Sequence, residues 1–371
     1  MKEKKLFIKD KKKLRILIAP LDWGLGHATR CIPIINELIQ LGCEVVIVAD
    51  NQPFFLLKKE FPNLVFLRCK GYEIEYSQQK TGFFTKMFLQ VPKLFFAIRN
   101  EKKWLQKIAK GHYIDAVISD NRFGMYCKNI PSIFITHQLF INTGNSFVDF
   151  FVQKINNFFI KKYSNCWVPD FKENGFAGKL SHPRKISSKV IYMGPLSRFE
   201  ALRDVANIYD LLVSISGPEP QRTIFENMIL SELQNYPGKV LMVRGLPGEK
   251  KELNTPNDSI KIVNHLSSEE LNRAFEQSKM VICRSGYTTI MDLVKLKKKA
   301  IFVPTPGQTE QEYLAKHLFE KKYFYSIEQK KFSLSIALKN NAGFSPQDFN
   351  TPLNDYKKVI AGFVATLKYS M

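Results

Sequence analysis

One alternation, run twice along the chain, constrains the fold more than any other feature. Residues 14–21 (LRILIAPL) are a short apolar run bounded by charge before and Asp22-Trp23-Gly24 after, the pattern of a parallel strand buried on both faces. A glycine-containing loop follows, then residues 28–41 at helical spacing up to Gly42, then the apolar run 44–49. Strand, loop, helix and strand in such close succession make a βαβ unit. Pro33 predicts that the helix starts a few residues later than its apolar spacing suggests. Short β-rich runs recur at 114–119, 131–136 and 189–193, the last closing on Gly194-Pro195. The pattern then restarts. A strand at 209–215 leads into the turn Ser216-Gly217-Pro218-Glu219-Pro220 and a helix at 221–234. Strands at 239–243, 260–263, 280–283 and 300–303 alternate with helices at 268–277 and 287–296. Two such halves predict an α/β protein of two Rossmann-like, doubly wound domains facing across a cleft, with ligands beyond the carboxyl ends of the strands. That architecture alone does not choose among two-domain α/β enzymes, dehydrogenases included.

Composition narrows the class. The 371 residues suit two domains. The six cysteines are scattered with no CxxC pair, which argues against a zinc site or disulfide framework and for a reducing compartment. Lysines interrupt every apolar run near the N-terminus, and nowhere do 18 apolar residues follow one another. The expectation is a cytoplasmic chain without a signal peptide or spanning helix. A net charge of +21 favours polyanionic partners. Nucleic acid is the weaker of these, because neither zinc-finger spacing nor an RNP-type aromatic motif is present. Two stretches, 83–107 and 147–163, interleave phenylalanines with lysines and suit peripheral docking on the anionic inner face of the plasma membrane. The competing reading is that these aromatics face the protein's own core, and Pro92 argues against one continuous helix over 83–107.

The motifs carry more. Gly24-Leu25-Gly26-His27 follows the first strand but lacks the dinucleotide fingerprint, since Ala28 and Thr29 occupy its later positions. Ser216-Gly217 precede a helix opening near Gln221-Arg222, where free backbone amides bind phosphate. Residues 283–292 (CRSGYTTIMD) run from strand into helix. They put glycine and hydroxyl donors where a diphosphate would sit, and Asp292 where a carboxylate can accept from ribose hydroxyls. The polar loop 304–313 (PTPGQTEQEY) opens another helix.

RSGYTTIMDL followed by a proline-rich loop with TEQEYLA resembles the C-terminal donor domain of glycosyltransferase family 28. The GLGH loop, Thr136-His137-Gln138 after a strand, and the SGPEPQR turn fall in the same order. The resemblance covers about 14–330 and is specific over 283–313. It implies a GT-B fold with an acceptor-binding domain over 1–195, a donor-binding domain over 196–345, and a C-terminal helix within 346–371 crossing back. It implies a UDP-sugar donor and inverting transfer. Ser216 and Gly217 would then face the donor phosphates, and His265 and Leu266 would flank the uracil. Arg284, Ser285, Gly286 and Thr289 would form the diphosphate turn. Asp292 stands where the family has a ribose-binding glutamate, and Gln311 and Glu312 where it has two sugar-binding glutamines. Gly26, Arg122, His137 and Gln138 fall on the acceptor side.

The chemistry then needs a base for the acceptor hydroxyl and a counter-charge for the leaving nucleoside diphosphate. His27 at a helix start suits the first role, with Asp120 orienting its second ring nitrogen. Helix N-termini with Arg284 or Arg222 suit the second, and no metal or other cofactor is expected. The alternatives are a UDP-sugar 2-epimerase of the same fold and a non-catalytic sugar-nucleotide-binding protein. The sugar and the acceptor stay open at this stage.

Overall fold

The computed structural model describes residues 13–22, 25–72, 83–183, 185, 189–251, 253–255, 257–347 and 355–369, the side chains of 83–91 excepted. Gly24 of the first glycine loop, the lysine-rich residues 1–12, and the side chains of Phe83, Phe84, Lys86 and Phe88 lie outside them.

The first half begins with β1 (Arg15–Pro20), α1 (Gly26–Gln40), β2 (Glu44–Val48), α2 (Asn51–Glu60) and β3 (Val65–Leu67). It continues with α3 (Phe83–Gly111), β4 (Ala116–Asp120), β5 (Ser132–Ile135), α4 (Ser146–Ile160), β6 (Asn165–Val168) and β7 (Val190–Tyr192). The second half contains β8 (Tyr209–Ser214), α5 (Gln221–Leu233), β9 (Val240–Val243), β10 (Ile260–Val263), α6 (Ser268–Glu276) and β11 (Ser278–Cys283). After these come α7 (Tyr287–Leu296), β12 (Ala300–Phe302), α8 (Thr309–Glu320), β13 (Tyr325–Ser326), α9 (Leu334–Ala342) and α10 (Asp355–Tyr369).

The strands form two parallel sheets, ordered β3-β2-β1-β4-β5-β6-β7 and β10-β9-β8-β11-β12-β13. In each sheet the strand order reverses beside the first strand, between β1 and β4 and between β8 and β11. Ligands of open parallel sheets bind at such switch points, beyond the carboxyl ends of the strands. The register places Pro20 beside Asp120 in one sheet and Ser214 beside Cys283 in the other. The residues that follow those pairs therefore lie beyond the carboxyl ends of the strands, at the switch points.

Strands β1, β4 and β9 are buried along their whole length. Helix α1 buries Ala28, Cys31, Ile32, Ile34, Ile35 and Leu38, packs on α7 across the cleft, and is backed by α10. Tyr356, Ile360, Val364 and Leu367 of α10 are buried in the same core, and Phe363 meets Trp167 edge-on at 5.4 Å.

Two helix expectations need correction. Helix α1 starts at Gly26, earlier than its spacing suggested, and keeps Pro33 inside it. Helix α3 likewise runs on through Pro92. Proline removes one amide donor and crowds the preceding turn, at a cost of about 3 kcal/mol. In α1 the apolar burial on nearly every side of the helix outweighs that penalty. Strands β3, β6 and β13 are too short and too plain in sequence to signal themselves against their surroundings.

Candidate active site between the two sheets

Helix α1 begins at the end of β1 and carries His27 and Arg30 three residues apart, so both project from one side. Asp120, the last residue of β4, is fully buried directly opposite. Nδ1 of His27 lies 2.9 Å from Oδ1 of Asp120. Nε of Arg30 donates to Oδ2 of the same carboxylate at 2.6 Å, and Nη2 of Arg30 donates to Oδ1. Burial works against a charged Asp120, but Arg30 and His27 outweigh it and hold the carboxyl down at about 2. The ion pair also raises Arg30 despite its burial.

The cluster continues across the cleft. Nη1 of Arg30 lies 3.0 Å from Nδ1 of His137, which follows β5. Nε2 of His137 lies 2.7 Å from Oε1 of Glu310 in the first turn of α8, and the Gln138 amide donates to the other oxygen of Glu310. The His137 ring stacks on Tyr287 of α7, centroids 4.2 Å apart, and the Tyr287 hydroxyl donates to the Pro169 carbonyl at 2.8 Å. Thr288 Oγ1 donates to the carbonyl of Gly26 at 3.1 Å, so the starts of α1 and α7 touch. A Cβ added at Gly26 would sit 3.3 Å from that hydroxyl.

The donor-side segments are knitted together. The turn at Ser216-Gly217 is exposed, and Gly217 has φ +112, a region that glycine occupies without strain. A Cβ there would stand 3.4 Å from Thr305 Oγ1. Thr305 N donates to Gln311 Oε1 at 2.9 Å, Ser285 Oγ donates to the Gln311 carbonyl at 2.8 Å, and Gly307 N donates to Glu312 Oε1 at 2.9 Å. Gly286 caps α7 without a side-chain bond, and Gln308 starts α8 in the same way, whereas in the first turn of α5 Thr223 N donates to Glu219 Oε2 at 3.2 Å. Uncapped helix starts leave amide donors for an anion. The more peripheral helices α4 and α6 close theirs with Asn145 and with the Ser267–Glu270 capping box. Gly286 and Thr289 are half-buried at the α7 start. Beyond β10, His265 is half-buried, and burial together with Lys59 and Arg198 pushes it down to about 4. Leu266 packs partly on the core.

Four expected ligands point elsewhere. Arg222 is bound to Glu219 and Glu226, each at 2.5 Å, and Arg244 to Glu226 at 3.0 Å, so this guanidinium is spent on a buried ion cluster. Arg284 is fully buried. It donates to the carbonyls of Val303, Pro304 and Gln221 and stacks on Phe225, and burial alone pulls it down to about 10. Arg122 pairs with buried Glu101 at 2.7 Å and donates to the carbonyls of Cys69 and Lys70. Asp292 lies beneath the interdomain linker, accepting from Ser197 Oγ at 2.7 Å, with Arg198 Nε at 3.9 Å. Burial raises this carboxyl to about 6, only partly countered by Arg198 and Ser197. In each case the charged group already has protein partners.

Arg30 and Glu310 were missed. The signal was there for Arg30: an arginine inside the apolar run ATRCIPII must find a buried acid. Among the described residues no cluster of His, Cys, Asp or Glu is arranged to hold a metal ion.

Residues 224–352 match the model of the glycosyltransferase family 28 C-terminal domain. The chain is 23% identical over 345 residues to a UDP-N-acetylglucosamine–N-acetylmuramyl-(pentapeptide) pyrophosphoryl-undecaprenol N-acetylglucosamine transferase of Rickettsia felis, covering 83% of this chain and 84% of that protein. It is 24% identical over 335 residues to an uncharacterized glycosyltransferase of Methanosarcina acetivorans, covering 84% of each. The chain is a glycosyltransferase. Its GT-B fold is shared with the glycotransferase of kitacinnamycin at a TM-score of 0.63, with 13% identity over 96% of both chains. In this glycosyltransferase the family match covers much of the second half, whereas the His27–Asp120–Arg30 cluster lies outside the matched residues.

Proposed function

We propose that this glycosyltransferase moves a sugar from a UDP-sugar to an acceptor hydroxyl with inversion, in one displacement, with His27 as base. The observation that carries the reading is the His27–Asp120 pair facing the uncapped start of α7 across a single hydrogen bond, Thr288 Oγ1 to the Gly26 carbonyl. With Asp120 ionised, His27 donates from Nδ1 and leaves the Nε2 lone pair for the acceptor. His27 takes the acceptor proton as the acceptor oxygen bonds to the anomeric carbon. The bond from that carbon to the diphosphate breaks, and the electron pair leaves with UDP. Asp120 stabilises the imidazolium. Amides at the start of α7, and the turn at Ser216-Gly217, meet the charge on the diphosphate. The reading invokes no metal. UDP as the nucleotide is supported by the family 28 match and by the donor named in the relative from Rickettsia felis.

The acceptor is proposed to be lipid-linked or membrane-proximal. Helix α4 exposes Phe147, Phe150, Phe151 and Phe158, and α3 exposes Phe95 and Phe96. The two helices are neighbours, with Phe95 and Phe159 rings 5.8 Å apart. Lys154 and Lys162 lie over Phe150 and Phe158 at 4.3 and 4.4 Å. Of the phenylalanines named on α4, only Phe159 turned inward. An apolar face edged with lysines suits the headgroup region of an anionic bilayer, each basic residue adding about 1 kcal/mol. Asn156, on the buried side of α4, donates to the Gln138 carbonyl at 3.2 Å, so this helix packs beside Gln138.

The test is a panel of labelled UDP-sugars incubated with the full chain, with and without a chelator and with anionic or neutral vesicles. Slow hydrolysis of one donor, unaffected by chelator, and sedimentation only with anionic vesicles are expected. Conversion to a free 2-epimer, or no turnover of any donor, would overturn the transferase reading. Equal absence of binding to both vesicle types would leave a soluble acceptor.

A further inference from the structure

The hydrogen bonds around Arg30 have only one consistent assignment on the His137 side. A guanidinium has donors and no acceptor, so Nδ1 of His137, at 3.0 Å from Arg30 Nη1, must be the bare nitrogen. The ring proton is then on Nε2 and is donated to Glu310 at 2.7 Å. Around His27 the same logic gives a competition. Its Nδ1 lies 2.9 Å from Asp120 Oδ1 and 2.8 Å from Arg30 Nη2. One nitrogen cannot donate to the first and accept from the second. His27 serves as a base at Nε2 only when Asp120 wins.

We propose that Glu310, from the C-terminal domain, is a positioning residue for the His27 base on the N-terminal domain, acting through His137 and Arg30. Glu310 draws the His137 proton to Nε2, and bare Nδ1 then holds Arg30 Nη1. With Nη1 held, Nε and Nη2 stay on Asp120 as a two-pronged pair, and the His27 Nδ1 proton completes that carboxylate. Without Glu310, His137 is free to carry its proton on Nδ1, donor against donor with Arg30. The guanidinium then moves off and Nη2 competes for His27. The base is therefore set only when α8, which also bears Gln311 and Glu312, is docked on β5 and its following residues. Seating of the donor domain and readiness of the base become one event. Neighbours outside the catalytic pair that fix its orientation typically change activity 10–100-fold when removed.

The inference rests on the proposed role of His27, and the experiment separates the two. Two-bond proton–nitrogen spectra of the uniformly ¹⁵N-labelled full chain at about pH 8 report the tautomer of each of its six histidines, assigned by single His→Gln variants. In the unaltered chain His27 is expected to carry its proton on Nδ1 and His137 on Nε2. Glu310→Ala should leave both rings with mixed tautomers and lower kcat about tenfold, with the donor KM within about twofold. Glu310→Gln, whose amide oxygen still accepts from His137, should restore the His137 tautomer. A His27 protonated on Nε2 in the unaltered chain would overturn the base assignment itself. His137 protonated on Nδ1, or tautomers unmoved by Glu310→Ala, would overturn the coupling while leaving the base assignment standing.

Discussion

Each half of this glycosyltransferase buries a cluster of arginines and carboxylates near the end of its first strand, and the two clusters differ in what they can do. In the C-terminal half Arg222 and Arg244 share Glu226, with Glu219 closing one side. Burial of Glu226 is outweighed by its two arginines, so this carboxylate is held low. The cluster is closed on itself. In the N-terminal half Arg30 and Asp120 form a similar pair, but two histidines complete it and Glu310 ties it to the other domain. Histidine brings a proton that can move and a ring nitrogen that can face a ligand. In the proposed mechanism that difference makes one cluster scaffolding and the other acid–base machinery.

The strongest way to break that contrast is to remove the histidine. His27→Ala should lower kcat by about 10²–10⁴-fold while leaving UDP affinity and the unfolding midpoint nearly unchanged. Kinetics on the donor identified by the panel, with calorimetric UDP titration beside it, checks both parts. Turnover near the unaltered value would make His27 a packing residue and dissolve the distinction between the clusters.

The same contrast marks what could be read from the sequence. The two sheets followed from strand runs that are apolar throughout, and α7 was predicted over the residues it occupies, because period and boundaries agreed there. His27 and Asp120 stood out because each ends or follows a strong strand beside a glycine loop. The protein partners of Arg222, Arg284 and Arg122 were not legible for one physical reason. A sequence shows that a guanidinium is near a phosphate-binding turn, but not whether carbonyls or carboxylates from distant segments have already taken its donors. Arg284 gives its two terminal nitrogens to the carbonyls of Val303, Pro304 and Gln221, the last 63 positions away. Glu310 was invisible for the converse reason: its partners, His137 and Gln138, are 173 and 172 positions away and meet it only when the two domains face each other.

The second prediction probes the closed cluster. Glu226→Ala leaves Arg222 and Arg244 buried without their shared carboxylate, and removing one partner of a buried pair costs about 3–5 kcal/mol. Urea unfolding should show that loss, while kcat per folded molecule stays within about twofold of the unaltered enzyme. A kcat loss comparable to that of His27→Ala would place Arg222 back among the groups that meet the leaving phosphate.

The smallest effect concerns two buried carboxyls that lie on opposite sides of the ordinary range, one in each half. Asp120 is held down at about 2 by Arg30 and His27 against its burial. Its stabilising contribution is present above the unfolded value of about 4 and is lost as pH falls through 2. Asp292 is raised to about 6 by burial under the linker. The folded state there binds the proton more tightly than the unfolded chain does, so its contribution is full below about pH 4 and is lost as pH rises through 6. The two windows do not overlap. Asp292→Asn keeps an oxygen to accept from Ser197 and cannot ionise, so it should flatten the slope between pH 4 and 6 by an amount of order 1–3 kcal/mol. The slope below pH 4 should remain. Because the Asp292 carboxylate is turned to Ser197 and Arg198, UDP affinity at pH 7.5 should stay within about threefold. Unfolding curves across pH, with UDP calorimetry on the same variant, check the pair of outcomes. A tenfold or greater loss of UDP affinity with an unchanged pH slope would return Asp292 to the ribose of the donor and remove it from the linker.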